Sequence, residues 1–369
     1  MEDDSDRPTD LTCSVCSATY PAGPAEPWRC DCGAPLELAD RGPPPESRPG
    51  QADLDRDRGL WAFEALLPVE DRASLGEGFT PMIDAPKWGV DFKLEYVSPT
   101  GSFKDRGATT IVSRALEVGA KSIVDDSSGN AGAAIATYAA RAGLPATIYV
   151  PEGVKESKRA LIERTGATVR TVAGGRAAVT EACIEAVEDG TSWYASHAWN
   201  PAFFAGTETF AYEVAVQRGW GAPDTIVSPV GHGTLLLGAA RGFRRLADLG
   251  WIDRMPRIVG VQAGGYAPLA EAFGNTAPDN ELADGVQIRE PARREQLLEA
   301  IDDTGGTVVA LGEERVESTL RQLHSAGLYV EPTSALAPAA IEDLRADGML
   351  EEADDVVVPL TGSGLKIRW

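Results

Sequence analysis

Short apolar runs and amphipathic stretches alternate along the chain from about residue 92 onward. Runs rich in β-branched residues predict strands, and they fall at 122–125, 146–150, 168–172, 225–230, 257–262 and 355–360. Stretches with apolar residues at helical spacing predict helices at 131–142, 156–165, 205–218, 234–249 and 314–326. Such alternation predicts an α/β fold in which helices cover parallel sheets on both faces. In such folds ligands bind in the loops that lead from strands into helices.

The residues before this region have a different character. Four of the five cysteines fall within the first 32 positions. Residues 41–59 are rich in Pro, Gly and charged side chains without an apolar period, which is typical of a linker. We therefore predict a small zinc-ribbon-like segment at 1–40, a linker at 41–59 and a catalytic α/β unit at 60–369. No internal repeat of fixed period is present.

The four amino-terminal cysteines have the spacing of a zinc site. Cys13 and Cys16 form a C-x-x-C pair, and Cys30 and Cys32 follow as a C-x-C pair. Two close pairs can place four thiolates around one tetrahedral ion, and the segment has too few apolar residues to fold without one. We predict a structural zinc; the alternatives are reduced cysteines in a loose tail or a knuckle that has lost its metal. Cys183, alone in a helical pattern at 177–187, is predicted to be a core residue.

The charge balance excludes two classes of partner. The chain has 34 basic and 56 acidic side chains, a net charge of −22, and only seven of the basic residues are Lys. Such a field repels nucleic acid and anionic membranes. We interpret the acidity, with Arg favoured over Lys, as a surface adapted to high salt, where ions screen the self-repulsion. The alternative is an acidic protein from a genome that favours Arg codons.

No membrane span or secretion signal is predicted. The most apolar window, 131–150, is interrupted by Arg141 and Pro145. The first six residues, Met-Glu-Asp-Asp-Ser-Asp, lack the basic start and the apolar run of a signal peptide. The expected location is the cytoplasm, and a homodimer is a possible assembly.

The first loop with candidate catalytic residues, at 99–107, has glycines on both sides of Lys104. This lysine is expected to open a helix, where the positive end of the helix dipole disfavours an ammonium group. A desolvated lysine in that place has a lowered pKa and can serve as a nucleophile and a proton carrier. A surface lysine in a charged turn would give the same pattern.

Two further loops join a strand to a helix. The loop at 126–132 contains Ser128, Gly129 and Asn130, whose main-chain N–H groups could bind a carboxylate or a phosphate at a helix start. Simple N-capping by Ser128 or Asn130 is the alternative. The glycine-rich loop at 228–234 suits a phosphate monoester but matches neither a P-loop nor a full dinucleotide-binding fingerprint. Its central residues are Gly231, His232, Gly233 and Thr234.

Together and in this order, the loops resemble those of the fold type II pyridoxal-phosphate (PLP) enzymes, the group of tryptophan synthase β, cysteine synthase, threonine dehydratase and threonine synthase. The segment GSFKDRG is similar to the cofactor-lysine motif, SSGN to the loop for the substrate carboxylate and the cofactor hydroxyl, and PVGHGT to the phosphate loop. The resemblance covers about residues 60–369. It implies two parallel-sheet, three-layer subdomains, roughly 106–205 and 60–105 plus 206–369.

Within that group the nearest resemblance is to threonine synthase, in particular its archaeal form. The cysteine pairs followed by CGAPL, the GLW segment at 59–61 and LGEGFTP at 75–81 are similar to that family. Two departures concern the substrate. The family often has basic residues where this chain has Phe203, Phe204 and Glu208, and often has Asn in the phosphate loop where this chain has His232 and Thr234.

The resemblance implies a role for each loop. Lys104 would hold PLP as a Schiff base and carry protons, Asn130 would bind the ring hydroxyl, and Thr361 (with Ser363 as the fallback) would face the pyridine nitrogen. Ser128 and Gly129 would bind the substrate carboxylate, and Arg106 would assist in substrate binding. The cofactor phosphate would lie in the glycine-rich loop, against Gly231, His232, Gly233 and Thr234.

Three functions are compatible with the sequence. The first is threonine synthase, which converts O-phosphohomoserine and water to threonine and phosphate. The second is a threonine or serine dehydratase, or another PLP enzyme of β-elimination or replacement on an unphosphorylated amino acid. The third is a zinc-ribbon binding protein with a degenerate catalytic fold, which the intact Lys104 and Asn130 disfavour. For a second phosphate the sequence offers Lys93, Arg106 and Lys158; His232 either touches the cofactor phosphate or fills its loop, and His197 and His324 are expected to be structural.

Overall fold

The computed structural model of the chain describes residues 7–366 and divides into two compact units. The first unit comprises the residues up to Glu77 together with Lys104–Thr207, and the second comprises Gly78–Phe103 and the residues from Glu208 onward. Residues 60–77, which the sequence analysis groups with the larger subdomain, therefore lie in the first unit. The cysteine-rich segment belongs to that unit as well.

The described residues contain thirteen strands and ten α-helices. The strands are β1 (Leu11–Cys13), β2 (Thr19–Tyr20), β3 (Leu36–Leu38), β4 (Met82–Ala85), β5 (Val90–Lys93), β6 (Ile123–Asp125), β7 (Ala146–Pro151), β8 (Thr168–Val172), β9 (Trp193–Tyr194), β10 (Thr225–Pro229), β11 (Arg257–Ala263), β12 (Thr307–Leu311) and β13 (Val356–Pro359). The helices are α1 (Lys104–Glu117), α2 (Asn130–Ala142), α3 (Glu156–Glu163), α4 (Arg176–Glu188), α5 (Pro201–Gln217), α6 (Thr234–Asp248), α7 (Pro268–Ala272), α8 (Arg294–Asp302), α9 (Glu313–Ser325) and α10 (Leu336–Ala346). Short 3-10 helices lie at Arg56–Leu66, Glu95–Val97, Asp284–Val286, Pro332–Ala335 and Gly364–Lys366.

The first unit is built on a parallel sheet of order β8-β7-β6-β9. Its core combines buried β-branched residues of the strands with the apolar faces of α1 and α2, which pack against each other. The helix α2 ends at Gly143, whose left-handed conformation (φ +66°) lets its N–H bond the carbonyls of the last turn. A separate antiparallel sheet of order β2-β1-β3 forms the cysteine-rich segment.

The second unit is built on a six-stranded sheet of order β12-β11-β10-β13-β5-β4. Neighbouring strands are parallel except for β4, which pairs antiparallel with β5 at one edge. The central strands are buried along their whole length, as expected when helices cover both faces. The predicted α/β class with parallel sheets is confirmed.

The predicted elements are confirmed with shifts of a few residues at their ends. The six strand predictions correspond to β6, β7, β8, β10, β11 and β13, and the five helix predictions to α2, α3, α5, α6 and α9. Cys183 lies buried in α4 against Tyr149 and Tyr194, so its prediction as a core residue is also confirmed. No helix in the described range 7–366 is long and apolar enough to cross a membrane.

Candidate active site

Lys104 is the first residue of α1, which confirms that it opens a helix. Its Nζ lies 5.7 Å from the centre of the Phe203 ring, on the first turn of α5. Phe203 is fully buried and packs directly on Gly107, where an added Cβ would come within 2.3 Å of the ring. A buried aromatic ring therefore lies beside the amine of Lys104 within the first unit.

A buried acid and a buried imidazole lie near the same ring. The Nδ1 atom of His197 is 3.6 Å from Oδ1 of Asp125, and the His197 and Phe203 rings are 6.0 Å apart between centres. Burial raises the pKa of Asp125 to about 6. Burial and then the positive charge of Lys104 hold the pKa of His197 well below its ordinary value. His197 is therefore a neutral imidazole at neutral pH.

The loop between β6 and α2 has main-chain donors at a helix start. The cap residue of α2 is Gly129, which has no side chain to cap the helix, and its N–H donates to Ser127 Oγ at 3.3 Å. A Cβ on Gly129 would meet only the Ser127 hydroxyl, at 3.9 Å, so the space above this glycine is open. Ser128, Gly129 and Asn130 are half-buried, whereas residues 123–127 are buried. The loop thus leaves its last three residues accessible to an anionic ligand.

In the second unit the glycine-rich loop joins β10 to α6. Gly233 caps the helix with φ +73°, and no side chain makes a capping hydrogen bond. Larger residues would not fit: a Cβ on Gly233 would lie 2.3 Å from the Leu297 side chain, and one on Gly231 would lie 3.0 Å from Val286 Cα. The turn is therefore built of small residues whose N–H groups meet a helix start, as a phosphate requires.

The loop after β13 presents a neutral hydroxyl. The Thr361 Oγ1 and Ser334 Oγ atoms are 3.1 Å apart, and Ser334 Oγ also accepts a hydrogen bond from Gly362 N at 2.9 Å. Ser102 forms a β-bridge with Gly362. The hydroxyl of Ser102 is fully buried and has no hydrogen-bond partner within the described part of the chain.

These features fit PLP. A half-buried lysine amine lies beside an aromatic ring, and two helix starts lack capping side chains. The hydroxyl of Thr361 pairs with that of Ser334 and carries no charge. Such groups match an aldehyde-bearing ring, a phosphate monoester and a pyridine nitrogen. The set, as far as residues 7–366 describe it, contains no feature that would reject the cofactor.

The four cysteines form a compact cluster in the first unit. Their Sγ atoms all lie within 4.8 Å of one another, with Cys13–Cys32 at 3.6 Å and Cys16–Cys30 at 3.4 Å. A zinc ion with sulfur ligands at ~2.3 Å requires sulfur separations of about 3.8 Å. A hydrogen bond from the Tyr20 hydroxyl lowers the pKa of the Cys30 thiol to about 6. The cluster has the composition and dimensions of a tetrahedral metal site.

The predicted site residues divide between the two units. Lys104, Arg106, Ser128, Gly129 and Asn130 lie in the first unit. The second unit holds Gly231, His232, Gly233, Thr234 and Thr361. Arg106 is fully buried in α1, and His232 is half-buried.

One candidate for a second phosphate site is wrong. Lys93 is completely buried, and its Nζ bonds Glu213 Oε2 at 2.8 Å and the Thr80 carbonyl at 2.7 Å. A lysine sealed in an ion pair cannot meet a substrate phosphate. Lys158 is half-buried on α3.

Sequence reasoning missed several residues of the candidate site. It did not single out Asp125, Ser102 or Ser334, and it treated His197 as structural. A signal for Asp125 was present, because an acidic residue ends a buried, β-branched strand directly before the Ser-Gly-Asn loop. The role of Phe203 beside Lys104 depends on packing between α1 and α5 and has no local signal.

Comparisons with known proteins point in one direction. The family model "Pyridoxal-phosphate dependent enzyme" matches residues 73–362. A threonine synthase of Methanocaldococcus jannaschii is 31% identical over 96% of this chain and 92% of its own length, and one of Methanosarcina acetivorans is 33% identical over 83% and 80%. The solved structure of a threonine deaminase from T.th. is 27% identical, with a TM-score of 0.63 over 77% of this chain and 92% of its own. The chain therefore belongs to the fold type II pyridoxal-phosphate-dependent enzymes and, by sequence, to the threonine synthase family among them.

Proposed function

We propose that this PLP-dependent lyase is a threonine synthase, which converts O-phosphohomoserine and water to threonine and inorganic phosphate. The observation that carries the proposal is the extent of similarity. The match to the Methanocaldococcus jannaschii threonine synthase spans 96% of this chain, whereas the matches to two solved threonine deaminases span 77% and 87%. The shared span with that relative therefore includes the catalytic region and most of the segment at 1–40.

In this proposal each predicted cofactor residue has a defined role. Lys104 holds PLP, Asn130 binds the ring hydroxyl, and Thr361 faces the pyridine nitrogen. The loop of Gly231, His232, Gly233 and Thr234 holds the cofactor phosphate. When bound, PLP supplies an electron sink for a carbanion at the substrate Cα.

The chain's own side chains provide the proton transfers and the orientation. Lys104 removes and returns protons at Cα and Cβ, and its Nζ lies 5.7 Å from the centre of the Phe203 ring. Ser128 and Gly129 bind the substrate carboxylate. The part in substrate binding predicted for Arg106 would need an accessible side chain, whereas that of Arg106 is fully buried. The neutral hydroxyl of Thr361, in place of a carboxylate, leaves the pyridine nitrogen unprotonated and favours elimination and replacement over transamination.

A second candidate is a threonine or serine dehydratase. Phe203 favours it, because an apolar ring lies 5.7 Å from Lys104 Nζ where a substrate phosphate would gain from a cation. The exclusion of Lys93 removes one of the three candidate phosphate ligands. A dehydratase needs no second anion site and tolerates both features.

One assay separates the two candidates. Incubation with O-phosphohomoserine is expected to release inorganic phosphate and threonine in equal amounts. Threonine and serine are the matched alternative substrates, with ammonia and a 2-oxo acid as their products. An enzyme that ignores O-phosphohomoserine and forms ammonia from threonine or serine is a dehydratase.

We also propose that Cys13, Cys16, Cys30 and Cys32 bind one structural zinc ion. The proposal is supported by the sulfur separations of 3.4 and 3.6 Å within a cluster no wider than 4.8 Å. The cytoplasmic location, the homodimer and the salt-adapted surface stay predictions.

A further inference from the structure

The segment between the two cysteine pairs is joined to α1 by a buried ion pair. Arg114 of α1 donates from Nη2 to Glu26 Oε2 at 2.6 Å and from Nε to Glu26 Oε1 at 3.2 Å. The two side chains are only 1% and 3% exposed. Arg114 Nη2 also donates to the Thr9 carbonyl at 2.8 Å. Two parts of the cysteine-rich segment, called the ribbon below, therefore bond one guanidinium group.

A second contact joins the same segment to the region before α5. Trp28 packs edge-on against Tyr194, with ring centres 5.6 Å apart, and against Trp199, at 5.0 Å. Tyr194 ends β9, and Trp199 lies five positions after it, beside His197 in the sequence. The ribbon therefore contacts the helix that begins at Lys104 and the segment that carries His197.

The ribbon cannot hold these contacts by its own core. Its strands have two or three residues each, and its buried cluster consists of Leu11, Cys13, Cys30 and Leu36. Two of those four are cysteines, so half of the buried cluster belongs to the proposed metal site. Cys16 and Cys30 flank the segment that carries Glu26 and Trp28, and their sulfur atoms are 3.4 Å apart. A metal at the cluster would fix both ends of that segment.

We infer that Glu26 and Trp28 are positioning residues, through which a metal bound by the four cysteines controls how firmly α1 holds Lys104. Loss of the metal frees the segment, and Arg114 then loses both hydrogen bonds to the Glu26 carboxylate. Glu117 remains as a weaker partner, because its Oε2 lies 3.9 Å from Arg114 Nη1, beyond hydrogen-bond distance, and its Oε1 accepts a hydrogen bond from Glu70 N at 2.6 Å. A poorly compensated buried charge on α1 destabilises that helix. As a result, Lys104 holds PLP less firmly. The role of Lys104 in holding PLP rests on the proposed function.

The first test removes the metal from the PLP-loaded, full-length enzyme. Zinc is displaced with a mercurial in the presence of a chelator, and the thiols are then restored. We expect the rate of cofactor release, followed by visible absorbance, to rise about tenfold, the factor that ~1.4 kcal/mol represents. The thermal midpoint falls in parallel, and added Zn²⁺ restores both quantities. The double variant Cys16→Ser, Cys32→Ser, at the two exposed cysteines, provides a second route to metal-free protein.

The second test breaks the contacts and keeps the metal. Glu26→Gln and Trp28→Ala are expected to retain one zinc per chain and to release the cofactor as fast as the metal-free enzyme. Glu163→Gln, which makes the same chemical change in an exposed pair with Arg159, is the matched control and should release it at the wild-type rate.

Three results would overturn the inference. They are metal-free protein with an unchanged release rate, Glu26→Gln protein with an unchanged release rate, and Glu26→Gln protein that has lost its zinc. No measurement involves an amino-acid substrate. An enzyme that rejects O-phosphohomoserine but shows this zinc dependence would refute the proposed function alone.

Discussion

The main-chain N–H of Phe103 donates a hydrogen bond of 3.0 Å to the carbonyl oxygen of Thr361. Ser363 N donates to the Gly101 carbonyl at 2.9 Å on the same short ladder. The peptide directly before Lys104 is thus anchored to the loop after β13. Because these bonds hold the main chain at Phe103, the proton transfers proposed for Lys104 would depend on motion of its side chain.

Replacement of Lys104 should remove both cofactor attachment and turnover. We expect Lys104→Ala to lower turnover by at least about 10²-fold, the range of a lost acid–base group, and to abolish labelling by borohydride. Asn130→Ala and Thr361→Val should keep a bound but misoriented cofactor. Lys121→Ala, at an exposed position, serves as the control. Peptide mapping after borohydride reduction identifies the lysine that carries the cofactor. Label on any lysine other than Lys104 would refute its assignment as the cofactor lysine.

Gly107 should not tolerate a methyl group. An alanine Cβ would lie 2.3–2.4 Å from the Phe203 ring, so we expect Gly107→Ala to lower the free energy of unfolding by about 1–3 kcal/mol. Chemical denaturation measures this loss, and the second change Phe203→Leu should recover part of it. Gly153→Ala, where a Cβ would meet nothing within 4 Å, is the control. Equal effects at the two glycines would contradict the packing argument.

The buried pair of Lys93 and Glu213 should be intolerant of losing one partner. Both side chains are 0% exposed, with Nζ and Oε2 2.8 Å apart. Glu213→Gln removes this carboxylate charge from beside a buried ammonium, so we expect a loss of about 3–5 kcal/mol in the free energy of unfolding. The exposed pair of Arg159 and Glu163 provides the comparison, and Glu163→Gln should cost about 0–1 kcal/mol. A cost below that of the exposed pair would falsify the prediction.

Asp125 should make stability depend on pH. Its pKa is about 6 in the folded chain against 3.8 for the free side chain, so the folded state binds more protons and its stability is lost as pH rises from about 4 to 6. We expect Asp125→Asn to be more stable than the wild type by up to about 3 kcal/mol above pH 7. The difference should vanish below about pH 4. Urea denaturation of both proteins across this range provides the measurement.

His197 acts in the opposite direction and is present in both proteins. Its lowered pKa means that the unfolded chain gains a proton below about pH 6.5 and that stability falls on that side. The difference between wild type and Asp125→Asn therefore isolates the carboxyl group. A difference that grows toward acid pH would show that Asp125 is ionised at no cost.

Salt should stabilise the protein. The net charge of −22 produces self-repulsion that molar salt screens, because the Debye length falls to about 3 Å at 1 M. Thermal midpoints across a KCl series should rise. Tetramethylammonium chloride, with a weakly hydrated cation, tests whether screening alone suffices. Thermal midpoints that stay constant or fall with KCl would favour the alternative, that the scarcity of Lys reflects a codon preference.

The elements that could be predicted from the sequence are those whose burial follows from the local pattern of apolar residues. Strands such as β10, with five buried residues in succession, follow directly from β-branched runs. The edge strand β4 and its neighbour β5 were missed because Asp84 and Asp91 interrupt their apolar pattern. An edge strand has one unpaired side and can carry such residues.

Long-range pairing explains the errors at single residues. Lys93 has the sequence context of a solvated or phosphate-binding lysine, and its burial is compensated by Glu213, 120 positions later, and by Thr80. Phe203 likewise lies 99 positions after Lys104 in the numbering, and no local pattern connects them. The loop motifs were recognisable because their glycines and hydroxyls act through the main chain beside them.

The contact between Glu26 and Arg114 also sets an order of assembly during synthesis. The two residues are 88 positions apart, and translation proceeds at about 5–20 residues per second. The ribbon therefore leaves the ribosome several seconds before its docking helix exists. In the zinc proposal, the metal at the cysteine cluster holds the segment together during that interval and is captured before the first unit folds. In cells that lack the metal, nascent chains would accumulate in which the amino-terminal segment is still unfolded when α1 is synthesised.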